Sequence, residues 1–259
     1  MIDALSYEVH GYGPGLVLLH GIGSRGTTTW SPVVEQLAVK YTVVLPDLPG
    51  SGDSPLPNGP MAIETIADQI VATAHAAGLS EFVVCGVNVG AAIAIKTAAR
   101  WPVRVRGLAT VVGFAHPRVT LRLNLELWAS LTAHGDVVTT SRLLTSLCFA
   151  EQYLAVLPPA AVDQIVKQFG KQLAPGTAEQ IAFTLGIDVR DDLAAVNADT
   201  LVVVATDDRF AAPEHSAEIA AGIRKARLVE VPGGHAAIFE DPEPTLAALT
   251  EFLRTLAVT

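Results

Sequence analysis

Apolar residues along this chain follow two rhythms. Short runs that stay apolar on both faces recur at Leu16–Leu19, Thr42–Leu45, Phe82–Cys85, Gly107–Val112, Leu201–Ala205 and Leu228–Val231. Rich in valine and leucine, they predict parallel strands covered by helices on each side. Between them lie segments of helical character at Pro32–Val39, Ile63–Ala77, Gly90–Ala99, Pro213–Ile223 and Pro242–Leu256. The opening "LSYEVHGYG" alternates apolar and polar residues, which predicts an antiparallel edge strand. Strands alternating with helices give an α/β fold with a mostly parallel central sheet.

One region breaks the alternation. From about His116 to Asp188 no strand pattern is present, and the segment is rich in Leu, Ala and Thr, with breaks at "LPP" and "APG". It reads as several short helices inserted between two core strands. The expected organisation is therefore a core of residues 1–115 and 189–259, with a helical cap of residues 116–188. Such a cap would lie over the carboxyl ends of the strands, where open α/β sheets bind ligands.

Composition narrows the classes. The chain has 259 residues, enough for one α/β domain with a large core. No apolar run reaches the length of a membrane span. The N-terminus shows no basic region followed by an apolar stretch, so no secretory signal is expected. Two cysteines, Cys85 and Cys148, are too few for a disulfide framework or a cysteine metal site, and suit reduced thiols in the cytoplasm. The net charge of -9 opposes non-specific nucleic-acid binding. No phosphate-binding lysine loop and no His-Glu-x-x-His pattern occurs, so neither cofactor nor metal is expected. A small apolar substrate is the expected partner, with a homodimer left open.

Five polar motifs punctuate the strand ends. In "FVVCGVNVGAAIAI" a strand enters Gly86-Val87-Asn88-Val89-Gly90 and leaves as a helix. Such a turn projects its central side chain above the sheet and aims the next backbone N–H at an oxyanion. In "LLHGIGSRGTTTW" a strand ends at His20-Gly21, and Ile22 is the candidate for a second backbone donor. His20 is expected to be structural, bonding the loop backbone. "DLPGSGDS", Asp47 to Ser54, reads as an architectural turn. "VVVATDDRFAAP" ends a strand in Asp207 and Asp208, and "VEVPGGHAAIFEDPE" places His235 after the next strand. The order of elbow, acid and histidine suits a histidine base oriented by a carboxylate.

Taken together, these motifs resemble the α/β-hydrolase superfamily over nearly the whole chain. The resemblance implies a Ser-His-Asp type site with Asp208 as the orienting acid, His235 as the base, and the N–H groups of Ile22 and Val89 as the oxyanion hole. The departure is Asn88, at the position where family hydrolases carry serine, or in some cases aspartate or cysteine.

A carboxamide has a delocalised nitrogen lone pair and does not deprotonate near neutral pH, so Asn88 cannot attack a carbonyl. Asn88 then has four readings. The first is an inactivated Ser-His-Asp hydrolase, engineered by exchange of its serine, acting on an ester, lactone, thioester or polyketide-like compound. The second is a dehalogenase or epoxide-hydrolase relative whose aspartate became asparagine. Against it stand His20-Gly21-Ile22-Gly23 in place of His-Gly-x-Pro, Val89 after the elbow residue, and a single cap tyrosine, Tyr153. The third is a natural lyase, isomerase or cyclase in which the His235–Asp208 pair moves a proton and Asn88 donates a hydrogen bond. The fourth is a binding protein without catalysis. In every case the cap leucines should make an apolar cleft, with Trp128, Arg122 and Asn124 as candidate ligand contacts.

Overall fold

Seven strands form one sheet: β1 (Tyr7–His10), β2 (Gly15–Leu19), β3 (Thr42–Pro46), β4 (Phe82–Val87), β5 (Val105–Val111), β6 (Asp199–Ala205) and β7 (Ala226–Val231). Their order is β1-β3-β2-β4-β5-β6-β7. β1 runs antiparallel to β3, with Tyr7 opposite Pro46, and every other pairing is parallel. This is an α/β-hydrolase fold. The computed structural model describes residues 2–256.

Thirteen helices are present among these residues. Four lie before β5: α1 (Gly26–Trp30), α2 (Val34–Ala38), α3 (Ile63–Ala76) and α4 (Val89–Arg100). Six follow between β5 and β6: α5 (Val119–Ala133), α6 (Val137–Cys148), α7 (Glu151–Ala155), α8 (Pro159–Gln172), α9 (Thr177–Leu185) and α10 (Arg190–Leu193). The last three are α11 (Glu214–Gly222), α12 (Ala237–Glu240) and α13 (Pro242–Leu256). No helix among the described residues is long and apolar enough to cross a membrane.

β2 and β4, and most of β3, β5 and β6, are apolar because both faces of the sheet are covered there. Val17, Leu19, Val44 and Val84 pack into the layer that holds α3 and α4. Their alternate neighbours Leu16, Leu18, Val43 and Cys85 pack into the opposite layer with Trp30 and with Leu249, Phe252 and Leu253 of α13. This is the period-two rule of a strand applied to two apolar faces. α3 turns Ile66, Ala67, Ile70, Val71 and Ala74 inward at helical spacing. Ile70 is fully buried, a placement that stabilises by roughly 1.5–3 kcal/mol relative to exposure. On α4 the Lys96 ammonium is held by Glu64 at 3.2 Å and Asp192 at 2.8 Å, which ties three helices together.

Element boundaries differ from the sequence pattern where long-range bonds decide them. The helix expected over Pro32–Val39 is the shorter α2, and a further helix, α1, begins inside the glycine-rich loop. No side chain near Arg25 caps α1. Asp47, in the loop after β3, does so from across the sheet edge: its Oδ1 accepts the Gly26 N–H at 2.9 Å, and its Oδ2 pairs with Arg25 at 3.2 Å. A Cβ on Gly52 would overlap that carboxylate, which explains one glycine of "DLPGSGDS".

Candidate functional site

β4 runs directly into α4, and the connection is the single residue Asn88, with φ 57 and ψ −122. Few non-glycine residues adopt positive φ, and asparagine is one of the more tolerant. The flanking glycines are sterically required. A Cβ on Gly86 would overlap the Gly90 carbonyl, and one on Gly90 would sit 2.6 Å from the His20 oxygen. Strand and helix approach this closely only without side chains.

The Asn88 side chain is almost fully buried, and its two ends face different partners. Nδ2 lies 2.8 Å from His235 Nε2. Oδ1 lies 3.5 Å from the Ile22 nitrogen, whose N–H it accepts. His235 Nδ1 lies 2.7 Å from Asp208 Oδ2. With Asp208 ionised, Nδ1 carries the proton and donates it, so Nε2 of the neutral ring is an acceptor and must face the N–H₂ of Asn88. The amide orientation, the tautomer and the Ile22 donor are therefore mutually consistent.

Asp208 is fixed from its other side. Its Oδ1 accepts the N–H groups of Phe210 at 2.9 Å and Ala211 at 2.8 Å. Neighbouring Asp207 instead accepts from the Thr206 hydroxyl, in an exposed setting. The Phe210 ring lies against the His235 ring, with centroids 4.8 Å apart. Val89 is the first residue of α4, and the first N–H groups of a helix lack intrahelical acceptors.

His20 is fully buried and holds the neighbouring loops. Its Nδ1–H donates to the Gly21 carbonyl at 2.7 Å, and Nε2 accepts the Leu48 N–H at 2.8 Å. Burial lowers its pKa to about 4, so the ring is neutral at pH 7.

Two polar clasps are among the contacts between the β5–β6 segment and these loops. At one, Gln180 of α9 is buried and makes three bonds. Its Oε1 accepts the Gly23 N–H at 2.7 Å, while its Nε2 donates to the Pro49 carbonyl and the Ser51 hydroxyl, each at 2.9 Å. Beside it, the Gly176 N–H donates to the Gly50 carbonyl at 2.9 Å. At the other, the Ala236 N–H donates to the Cys148 carbonyl at 2.7 Å. Glu240 Oε1 there accepts the N–H groups of Ala150 at 2.8 Å and Gly234 at 3.0 Å. Sequence reading marked neither Gln180 nor Glu240. The Gln180 partners and Ala150 lie far away along the chain, and no local pattern announces them.

A cleft of about 290 Å³ opens over Asn88 and His235, bounded by Gly21–Ser24 on the core side and by α5, α6, α7 and α8 on the other. Trp128 lines it, whereas Arg122 and Asn124 do not. On α5 the inward positions are Leu121, Leu125 and Trp128, one helical stripe. Arg122 falls off that stripe, is exposed, and donates to the Leu185 carbonyl at 3.3 Å. Asn124 donates to the Phe210 carbonyl at 3.3 Å and serves packing between α5 and the acid loop. The larger contributors, Phe149, Tyr153 and Phe169, carry no signal in the sequence that separates them from helix core. Among the described residues no cluster of His, Cys, Asp and Glu could hold a metal ion.

Comparison with known proteins shows the family. The α/β hydrolase fold family model matches residues 14–242. Pyrrolizixenacetamide deacetylase of Xenorhabdus hominickii is 32% identical over 96% of this chain and 94% of its own length. A pimeloyl-[acyl-carrier protein] methyl ester esterase of Stenotrophomonas maltophilia is 29% identical over 96% of each. Among solved structures, a thermophilic esterase from Thermogutta terrifontis superposes with a TM-score of 0.84 at 25% identity, covering 97% of this chain and 93% of that one. The chain is an enzyme of the α/β-hydrolase superfamily.

Proposed function

We propose that the chain acts on a small, uncharged, apolar carbonyl compound, an ester, lactone, thioester or amide, through His235 oriented by Asp208, with Asn88 as a hydrogen-bond donor and not a nucleophile. The observation that carries this reading is the 2.8 Å contact between Asn88 Nδ2 and His235 Nε2. It leaves the histidine lone pair on the cleft side and the orienting acid behind it. Asn88 guards that lone pair until a ligand displaces the amide. His235 then takes a proton from a water or from the substrate itself. The N–H groups of Ile22 and Val89 receive the oxyanion that develops. Residues 116–188 act as a cap over this centre. The names of the two relatives, a deacetylase and a methyl ester esterase, support amide or ester cleavage as the reaction class.

A second reading shares all of this except the history of residue 88: Asn88 stands where a Ser-His-Asp hydrolase holds its serine. The bond from residue 88 to the base and the intact elbow favour it. One experiment separates the two. The parent and Asn88→Ser are assayed by stopped flow on a panel of short p-nitrophenyl esters. Steady turnover by the parent without an initial burst supports non-covalent catalysis. An inactive parent, with a burst only in Asn88→Ser, supports the replaced serine. Absence of turnover in both would overturn the catalytic assignment.

A further inference from the structure

We propose that the cleft selects an uncharged aromatic group on its ligand, held by the rings of the helical insertion while the carbonyl lies at Asn88. This deepens the functional reading above and rests on it for the placement of the carbonyl. Two observations carry it.

The first is charge. Apart from the His235 imidazole, no ionisable acid or base of the Asp, Glu, Lys or Arg type lines the cleft. A ligand carboxylate or ammonium entering it would lose water and gain no counter-charge, which opposes binding. The other polar side chains on the lining are neutral: the hydroxyls of Ser24, Thr28, Thr29 and Tyr153, the amides of Asn88 and Gln168, and the Trp128 indole. These can orient a neutral ligand and cannot neutralise a charged one.

The second is ring geometry. Phe149 is nearly parallel to Tyr153, with centroids 5.6 Å apart and an interplanar angle of 17°. It is nearly perpendicular to Phe169, at 6.1 Å and 88°. All three line the cleft. Rings set at right angles form a corner that offers π faces and ring edges together. A ligand ring placed there can be offset-stacked on one neighbour and edge-on to another, the two arrangements that aromatic quadrupoles favour. Trp128 and Phe210 repeat the motif at 77°, and Phe210 carries it to His235. Each of these side chains has only two rotatable angles, so the corner keeps its shape at small entropic cost. An alkyl chain of equal volume would gain the same burial without the quadrupolar part.

The test reads binding, not turnover, on the parent chain with Asn88 in place. Isothermal titration compares methyl phenylacetate, methyl cyclohexylacetate, and the methyl ester of 4-carboxyphenylacetic acid with its ring carboxylate free. The phenyl ester is expected to bind about tenfold more tightly than its cyclohexyl counterpart, a difference of about 1.4 kcal/mol. The carboxylate ester is expected to bind about a hundredfold more weakly than the phenyl ester, since its charge is buried unpaired. Phe149→Leu and, separately, Phe169→Leu should each erase the phenyl preference, and two variants guard against one that does not fold. Equal binding of the cyclohexyl ester, equal binding of the carboxylate ester, or no binding of any probe at millimolar concentration would each overturn the proposal. Methyl phenylacetate that binds but is not turned over leaves it standing and counts against the catalytic reading. Turnover of aliphatic esters with no aromatic preference does the reverse.

Discussion

Asn88 Nδ2 lies 2.8 Å from His235 Nε2, so the Asn88 amide spends one of its two N–H groups on the imidazole. The other face of the imidazole is held by Asp208 at 2.7 Å. His235→Ala removes the proton acceptor and leaves the Asn88 amide facing a void. On whichever ester the parent turns over, kcat should fall by about 10²–10⁴, with circular dichroism unchanged. Undiminished turnover would remove His235 from the mechanism.

Gln180 is the polar bolt between α9 and two core loops. Gln180→Leu, close in volume, deprives the Gly23 N–H and the Pro49 carbonyl of their partners inside a buried contact. A buried group left unsatisfied costs roughly 1–3 kcal/mol, so urea unfolding should report a loss of about 3 kcal/mol. Gln180→Glu retains the acceptor for Gly23 but sets a carboxylate against the Pro49 oxygen. Its loss should shrink as pH falls and the carboxyl regains a proton to donate. Equal losses for Glu at pH 5 and pH 8 would refute this account.

The elbow glycines and a surface glycine should behave oppositely. Gly90→Ala places a methyl 2.6 Å from the His20 carbonyl, where backbone blocks any relief. A loss of about 3 kcal/mol or more is expected, as for other overpacked core sites. Gly186 has φ −94, and its nearest atom to an added Cβ is 3.6 Å away. Gly186→Ala should change the melting temperature little, because the backbone is right-handed and the space is free.

His20 gives the fold an acid-side liability. Its pKa is about 4 in the folded chain against 6.5 unfolded, because burial disfavours the charged ring. A depressed pKa means that the unfolded chain takes the proton first as pH falls. The stability this neutral ring carries is complete above about pH 6.5 and declines between there and about pH 4, by up to about 1.4 kcal/mol per pH unit. Below about pH 4 both states are protonated and this contribution levels off. His20→Asn should flatten that part of the stability profile in urea titrations at stepped pH. An unchanged slope would point to other groups.

Strand and helix periodicity made the sheet legible, because β2 through β6 are buried on both faces over most of their length and their sequences are mostly apolar. The elbow was legible because Gly86 and Gly90 bracket a strand-to-helix turn that no other pair of residues permits. Asp208 emerged over Asp207 by its resemblance to family spacing, and the Phe210 and Ala211 N–H groups give the physical reason. What stayed hidden depends on distance along the chain. α1 is capped by Asp47, twenty-one residues after Gly26, and Gln180 reaches Gly23 across 157. On α5 the sequence offered Arg122, Asn124 and Trp128 alike. Only the direction of the buried stripe sorts them, and that direction is set by what the helix packs against.

The Gly50–Gly176 contact has a consequence for how this protein can change over generations. A Cβ on Gly50 would meet the Gly176 Cα at 2.8 Å, and the two backbones share a hydrogen bond there. The loop after β3 and the start of α9 must therefore be inherited as a matched pair. A chimera that takes residues 116–188 from a relative needs that relative's Pro49–Ser51 loop as well, and new substrate range is more readily reached by changing Tyr153 or Phe169, which make no hydrogen bond in either clasp.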